Sequence, residues 1–305
     1  MKPNLLKTFV LLSAVSLILF SCKKDKKPDV SGCTDPNAVN YNPNATKDDG
    51  SCVSQSTIQS LVDNSIAERI FAEVFPVVNQ VGLSEAAGDT AIVKCAKITS
   101  TGGPGYPKTM IIDYGSMDTC ICDDGFKRKN QIKAIFDSPW SNSSTSVTIS
   151  LVTYNVLYDI STTDWMWLVS GTFNIVKSPD GMGGIKFTQT VANGRCVWSD
   201  FEIGISSDRV IKQVGGEQTD DVTDDVFRFE GKAKGIDRDS VNFESVIYEG
   251  SCLNKRFDCQ WVTQGTMHVI PTGGDTITIN FGDGTCNDQG SVEMSGGNTF
   301  NITLQ

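Results

Sequence analysis

One histidine, His268, serves 305 residues. That scarcity excludes any zinc centre built on two or three imidazoles, and it leaves a Ser-His-Asp relay dependent on a single residue in a predicted strand. No G-x-S-x-G elbow occurs. The nearest approach to a phosphate loop, G-P-G-Y-P-K-T from Gly103 to Thr109, has Pro107 where a glycine should precede Lys108, so it reads as a turn entering a strand. Basic residues are short too: 26 Lys and Arg face 36 Asp and Glu, and a net charge of -10 argues against a nucleic-acid partner. Long apolar runs are also missing. Crossing a bilayer takes about 20 residues, and the run from Phe9 to Phe20 stops short of that.

That run sits between Lys2 and Lys7 on one side and Leu19-Phe20-Ser21-Cys22 on the other, the layout of a signal peptide over residues 1–21. Its end resembles a bacterial lipobox. The resemblance implies cleavage before Cys22 and acylation of that cysteine, hence a cell-envelope protein, an outer-membrane lipoprotein, anchored by lipid with no spanning helix. Residues 22–31, rich in lysine, read as a solvated tether. Lys23-Lys24-Asp25 lacks the acidic cluster that favours surface export in such lipoproteins, so the periplasmic and surface faces both stay open.

Residues 32–52 form a small Cys-bracketed module, G-C-T-D-P-N-A-V-N-Y-N-P-N-A-T-K-D-D-G-S-C. With C-T-D-P at one end, N-Y-N-P in the middle and D-D-G-S-C at the other, it resembles a repeat of exported Bacteroidota proteins. A Cys33–Cys52 disulfide is expected, worth about 3 kcal/mol to a piece too small for its own core. Asp35, Asn37, Asn42, Asn44, Asp48 and Asp49 offer the oxygens that calcium wants. Their spacing is not that of an EF-hand, and the same residue types build tight turns.

Residues 53–305 read as one helix followed by antiparallel β-structure. Ile58, Val62, Ile66, Ile70, Val74, Val78 and Val81 recur at helical spacing over 57–81, with Ser56 or Thr57 placed to cap the start, Gly82 the end, and Pro76 to kink or stop it. Beyond Ala91 the period changes to two. Trp165, Trp167, Val169, Phe173 and Ile175 alternate with polar or small residues, as do Phe201, Ile203 and Ile205, and later Ile277, Ile279 and Phe281. The alternation slips at Leu151-Val152, which predicts a bulge. Turn signals at Ser178–Gly181, Asn193-Gly194, Ser199-Asp200, Asp237–Asp239 and Gly273-Gly274 separate the runs. The expected fold class is mainly β: a large antiparallel up-and-down meander, as a curved sheet, a partly open barrel or a sandwich, with one amino-terminal amphipathic helix.

One pattern occurs twice. T-M-I-I-D-Y-G-S-M-D-T-C-I-C-D-D-G from Thr109 and T-I-T-I-N-F-G-D-G-T-C-N-D-Q-G from Thr276 each run from an alternating strand into a cysteine at an Asp/Gly turn, with Cys95 and Cys259 upstream. Each predicts a strand-turn-strand unit closed by a disulfide. Cys259 pairs with Cys286 on this reading, while spacing alone matches Cys95 to Cys122. From about Asp63 onward the chain resembles a family of uncharacterised Bacteroidota lipoproteins, through Phe71-Ala-Glu-Val74, Pro107–Gly115, Asp124–Arg128, Asp225–Gly231 and Ile277–Cys286. The resemblance implies a β-rich exported domain with no activity attached, and it selects Cys120 as the partner of Cys95.

Two features hint at ligands. Trp165 and Trp167 share one strand face about 7 Å apart, a spacing that stacks successive sugar rings if exposed and fills a core if buried. Asp220, Asp221, Asp224 and Asp225, or Asp123 with Asp124, supply the paired carboxylates a glycan hydrolase needs, though a solvated acidic loop has the same composition. The expectation is a non-catalytic binding or interaction module needing no cofactor, with calcium as the candidate ion and the membrane, an envelope protein or a glycan as partner. A glycan-active hydrolase and a carrier of an apolar ligand are the alternatives.

Overall fold

The structure is a computed structural model and describes residues 28–88, 93–103, 105–116, 120–157, 167–216, 219 and 222–304. The signal peptide, Cys22, Trp165, Asp220 and Asp221 lie outside these residues. Among them, no helix is long and apolar enough to cross a membrane.

The small module comes first. β1 (Ser31–Gly32) pairs in parallel with β2 (Lys47–Asp48), and the Cys33–Cys52 bridge ties the piece together. Asp35, Asn42, Asp48 and Asp49 each accept a backbone N–H two residues on, so these side chains close their own turns.

The helical segment begins with a 3₁₀ turn at Gln55–Ile58 and continues as α1 (Gln59–Ala72) and α2 (Val74–Ala87). The break at Glu73 puts Pro76 in the first turn of α2, where its missing N–H costs no helical bond. The caps differ from expectation. Ser54 accepts from the Thr57 N–H at the start, and Gly88, with φ 76°, ends α2; Gly82 lies inside it. The helix expected over 57–81 is there but is corrected in character: it is two helices, it is not amphipathic, and on α1 Gln59, Ser60, Asp63, Asn64 and Arg69 are buried along with Leu61 and Ile70. No wet face remains, because the sheet folds round the helix.

That sheet has fourteen strands, all its pairs antiparallel. β3 (Lys97–Thr101), β4 (Lys108–Asp113), β5 (Lys127–Phe136), β6 (Thr145–Leu157), β7 (Trp167–Pro179) and β8 (Ile185–Trp198) follow as sequential neighbours. β9 (Phe201–Gly215) and β10 (Val226–Ile236) continue the meander. β11 (Asn242–Ile247) and β12 (Leu253–Arg256) then share one side of β10 end to end. β13 (Val262–Pro271), β14 (Ile277–Asp283), β15 (Gln289–Met294) and β16 (Thr299–Thr303) complete it. Among the described residues β3 and β16 are its two edges, so the strands make one open sheet.

The slip near Leu151 is a bulge, with register shifts on both sides of β6 and Thr153 at φ 48°. Asn193-Gly194 is a bulge as well, and not the turn its dipeptide predicts: β8 runs straight through it. One face of the sheet packs on the helices, Phe71 against Phe173 and Phe75 against both Phe187 and Phe227, with ring centroids 5.0, 4.8 and 5.1 Å apart. Five strands separate β5 from β12, yet the turns beside them meet: a Cβ on Gly125 would sit 3.7 Å from Gln260. The sheet therefore coils far enough to clasp the helix break between its two halves.

Candidate functional site

Three carboxylates spaced five residues apart on the helical segment each hold an arginine from the sheet side. Asp63 binds Arg238, Glu68 binds Arg209, and Glu73 binds Arg128. At the helix break the last pair grows into a cluster. Arg128 also donates to both Asp124 oxygens and to the Tyr154 hydroxyl, which donates in turn to Glu73. Lys255 donates to the Cys259 carbonyl, and Arg69 lies 3.9 Å over the Trp261 ring. Burial pushes the Glu73 carboxyl up to about 7 against the pull of Arg128, and burial brings the Lys255 ammonium down to about 8 against the pull of Asp124.

Shifts of that size mark catalytic sites as well as structural networks. Access separates the two cases. Among the described residues, a void beside the cluster, lined by Tyr114, Cys122, Asp124, Arg128 and Phe257 among others, measures 10 Å³, room for about one water. The Tyr114 hydroxyl is buried without a hydrogen-bond partner in the structure. Buried and ion-paired throughout, the cluster braces the clasp, and that void is too small for a substrate.

The residues singled out in the sequence scatter. Asp124 belongs to the cluster, Asp123 pairs with Lys94 on the surface, and Asp225 is buried where it accepts from Gln213. Trp167 is 6% exposed and leans on Trp198, so its ring fills core and offers no sugar platform. His268 bonds to Thr278 on β14 and meets no acid. The bridges Cys95–Cys120 and Cys259–Cys286 close the two strand-turn-strand units, while Cys122, Cys196 and Cys252 are free thiols. Burial raises all three, Cys252 to about 11 with the help of the Glu230 carboxylate beside it. Among the described residues no group of three or more His, Cys, Asp or Glu is placed to hold a metal ion.

What the sequence reading missed lies on the opposite face of the sheet. A trough of 440 Å³ crosses β8 to β11 there. Two cross-strand rows build it: Arg195, Gly204, Ile236 and Asn242 in one, Ser206, Lys234 and Glu244 in the other, with the bulged Asn193 donating its N–H to Ser206. Gly204 and Ser206 form a floor along β9. Side chains of β8 and β10 flank it, on backbones that run about 10 Å apart, twice the strand spacing. Arg195 makes a two-pronged bond to Glu202, at 2.8 and 2.5 Å.

Gly204 is the informative residue. Its φ lies outside the left-handed region, and a Cβ built on it would meet only Ile236 Cβ, at 4.0 Å. Neither backbone nor packing demands glycine there, although glycine within a strand costs about 0.5–1 kcal/mol. Gly235 next door contrasts with it: a Cβ there would collide with the Gly204 carbonyl and the Phe243 ring. A signal was present in the sequence, an unforced glycine between Ile203 and Ile205, but alternation alone reads it as one more wet-face position.

Compared with protein-family models, curated proteins and solved structures, the chain matches none.

Proposed function

We propose that this is a lipid-anchored cell-envelope protein, acylated at Cys22 and acting without catalysis as a binding module, with the trough over Gly204 as its binding surface. The observation that carries the reading is that glycine, which the fold does not require and which keeps the floor open. Three disulfides suit an oxidising envelope compartment. The sealed ionic cluster favours binding over hydrolysis. α1 and α2 cover most of the face where an apolar cargo would lie, leaving a groove of 430 Å³ between Ile58 and Val62 on one side and Ile302 and Leu304 on the other, so a carrier is the weaker reading.

Two measurements test it. An alkyne fatty acid fed to the host should label the wild-type protein and leave Cys22→Ser unlabelled; an unlabelled wild type would refute the anchor. The folded domain should be retained on the host's envelope fraction, and Gly204→Trp, which plugs the trough, should lose about tenfold in retention. Equal retention of the two would refute the trough.

A further inference from the structure

We infer that the trough takes a neutral oligosaccharide. The inference rests on the binding-module reading and adds the chemical class of the ligand.

The charges around the trough cancel. Arg195 is matched by Glu202, and Lys234 stands directly across from Glu244 in the β10–β11 register. Asp208, which accepts from Thr190, adds a further carboxylate at the far end of the floor on β9, and Lys232 stands across from it in the β9–β10 register. An anionic polymer would meet three carboxylates beside the three cations, and a cationic ligand would have to compete with those cations for the carboxylates. Neither gains what a field of one sign would give it.

The uncharged groups are those that pair with hydroxyls. Asn193 and Asn242 are exposed amides that both donate and accept, and Ser206 and Thr272 add hydroxyls on the floor and rim. A sugar ring carries donors and acceptors round its edge and C–H groups on its faces. The open Cα of Gly204 and the half-exposed side chain of Ile236 supply an apolar patch for such a face, and Arg195, bonded to Glu202, borders it. A volume of 440 Å³ fits one or two rings, within the usual range of small-ligand sites.

The test uses the folded protein, a glycan array carrying neutral and acidic oligosaccharides, and the same envelope fraction after periodate or after protease. Neutral glycans should bind, with affinity nearly unchanged when salt is raised about tenfold. Gly204→Trp and the milder Gly204→Thr should each lower that binding about tenfold or more without lowering the melting temperature, and Asn242→Ala should weaken it without touching the floor. Periodate, which cleaves vicinal diols, should abolish envelope retention, and protease should leave it intact. Preference for acidic glycans, binding that collapses in salt, or retention lost to protease and kept after periodate would each overturn the sugar assignment. If retention depends on the Gly204 floor but no neutral glycan binds, the ligand class falls and the binding module stands; if retention ignores the floor, both fall.

Discussion

Arg128 and Glu73 meet at 2.6 Å with their side chains 1% and 0% exposed, at the point where α1 gives way to α2. A pair so thoroughly removed from water stabilises the fold only as a complete set, because each charge left alone would be stranded. Arg128→Ala strands Glu73 and Asp124 together. It is expected to cost about 3–5 kcal/mol, read as a lower urea midpoint. A loss under about 1 kcal/mol, the worth of an exposed pair, would contradict the sealed geometry.

The same cluster sets a pH profile. In the fold Glu73 keeps its proton up to about 7, against 4.5 for an unperturbed carboxyl, so its contribution is complete below 4.5 and is lost as pH rises through 7. Lys255 runs the other way. Its folded value of about 8 lies below 10.5, so its contribution is complete above 10.5 and is lost as pH falls through 8. Together they place a minimum of stability between these two folded values. Urea midpoints measured across the range should fall from mildly acid toward neutral pH in the wild type, and Glu73→Gln should flatten that acid limb.

A glycine on the sheet and a glycine on the helix should respond in opposite directions. Gly204→Thr puts a β-branched side chain on an open strand position and is expected to raise stability by about 0.5–1 kcal/mol. Gly82→Ala drives a Cβ to 2.7 Å from Trp140 and 2.9 Å from Phe136, ring atoms locked in the core. Overpacking of that kind costs about 1–3 kcal/mol. Thermal melts of both variants check the pair. Destabilisation by threonine would show that the floor glycine serves the fold after all.

The thiols offer a chemical check on the bridges. Without reductant, the native protein should resist alkylation at buried Cys122 and Cys196 and react slowly at Cys252, where burial and Glu230 keep the sulfur protonated. After unfolding, still without reductant, peptide mapping should find label at these three positions and none at Cys95, Cys120, Cys259 or Cys286.

The strands were legible in the sequence because a period of two survives wherever one face is dry, and the slip at Leu151 marked a bulge for the same reason. The helix was legible as a helix but not as a polar one. Its apolar stripe hid the fact that Asp63, Glu68 and Glu73 are also inside, since their partners Arg238, Arg209 and Arg128 stand far away along the chain. Burial of a charge is settled by what arrives opposite it, which local pattern does not record. Trp167 failed as a platform on the same ground: alternation gives its side of the strand but not which side faces the helices. Asn193-Gly194 has the residues of a tight turn, yet long neighbours on both sides absorb the extra residue as a bulge.

A helix that precedes its whole sheet must wait for it. Asp63 meets Arg238 175 residues later, and Asn64 meets Met267 203 residues later. A chain emerging amino end first therefore carries those groups in water while each hairpin zips onto the last, and the interior can shut only when nearly all the strands have arrived. Truncation from the carboxyl end past β13 should thus yield no smaller stable core; it should leave the helix's acids facing solvent and the remaining ribbon prone to stick to its neighbours.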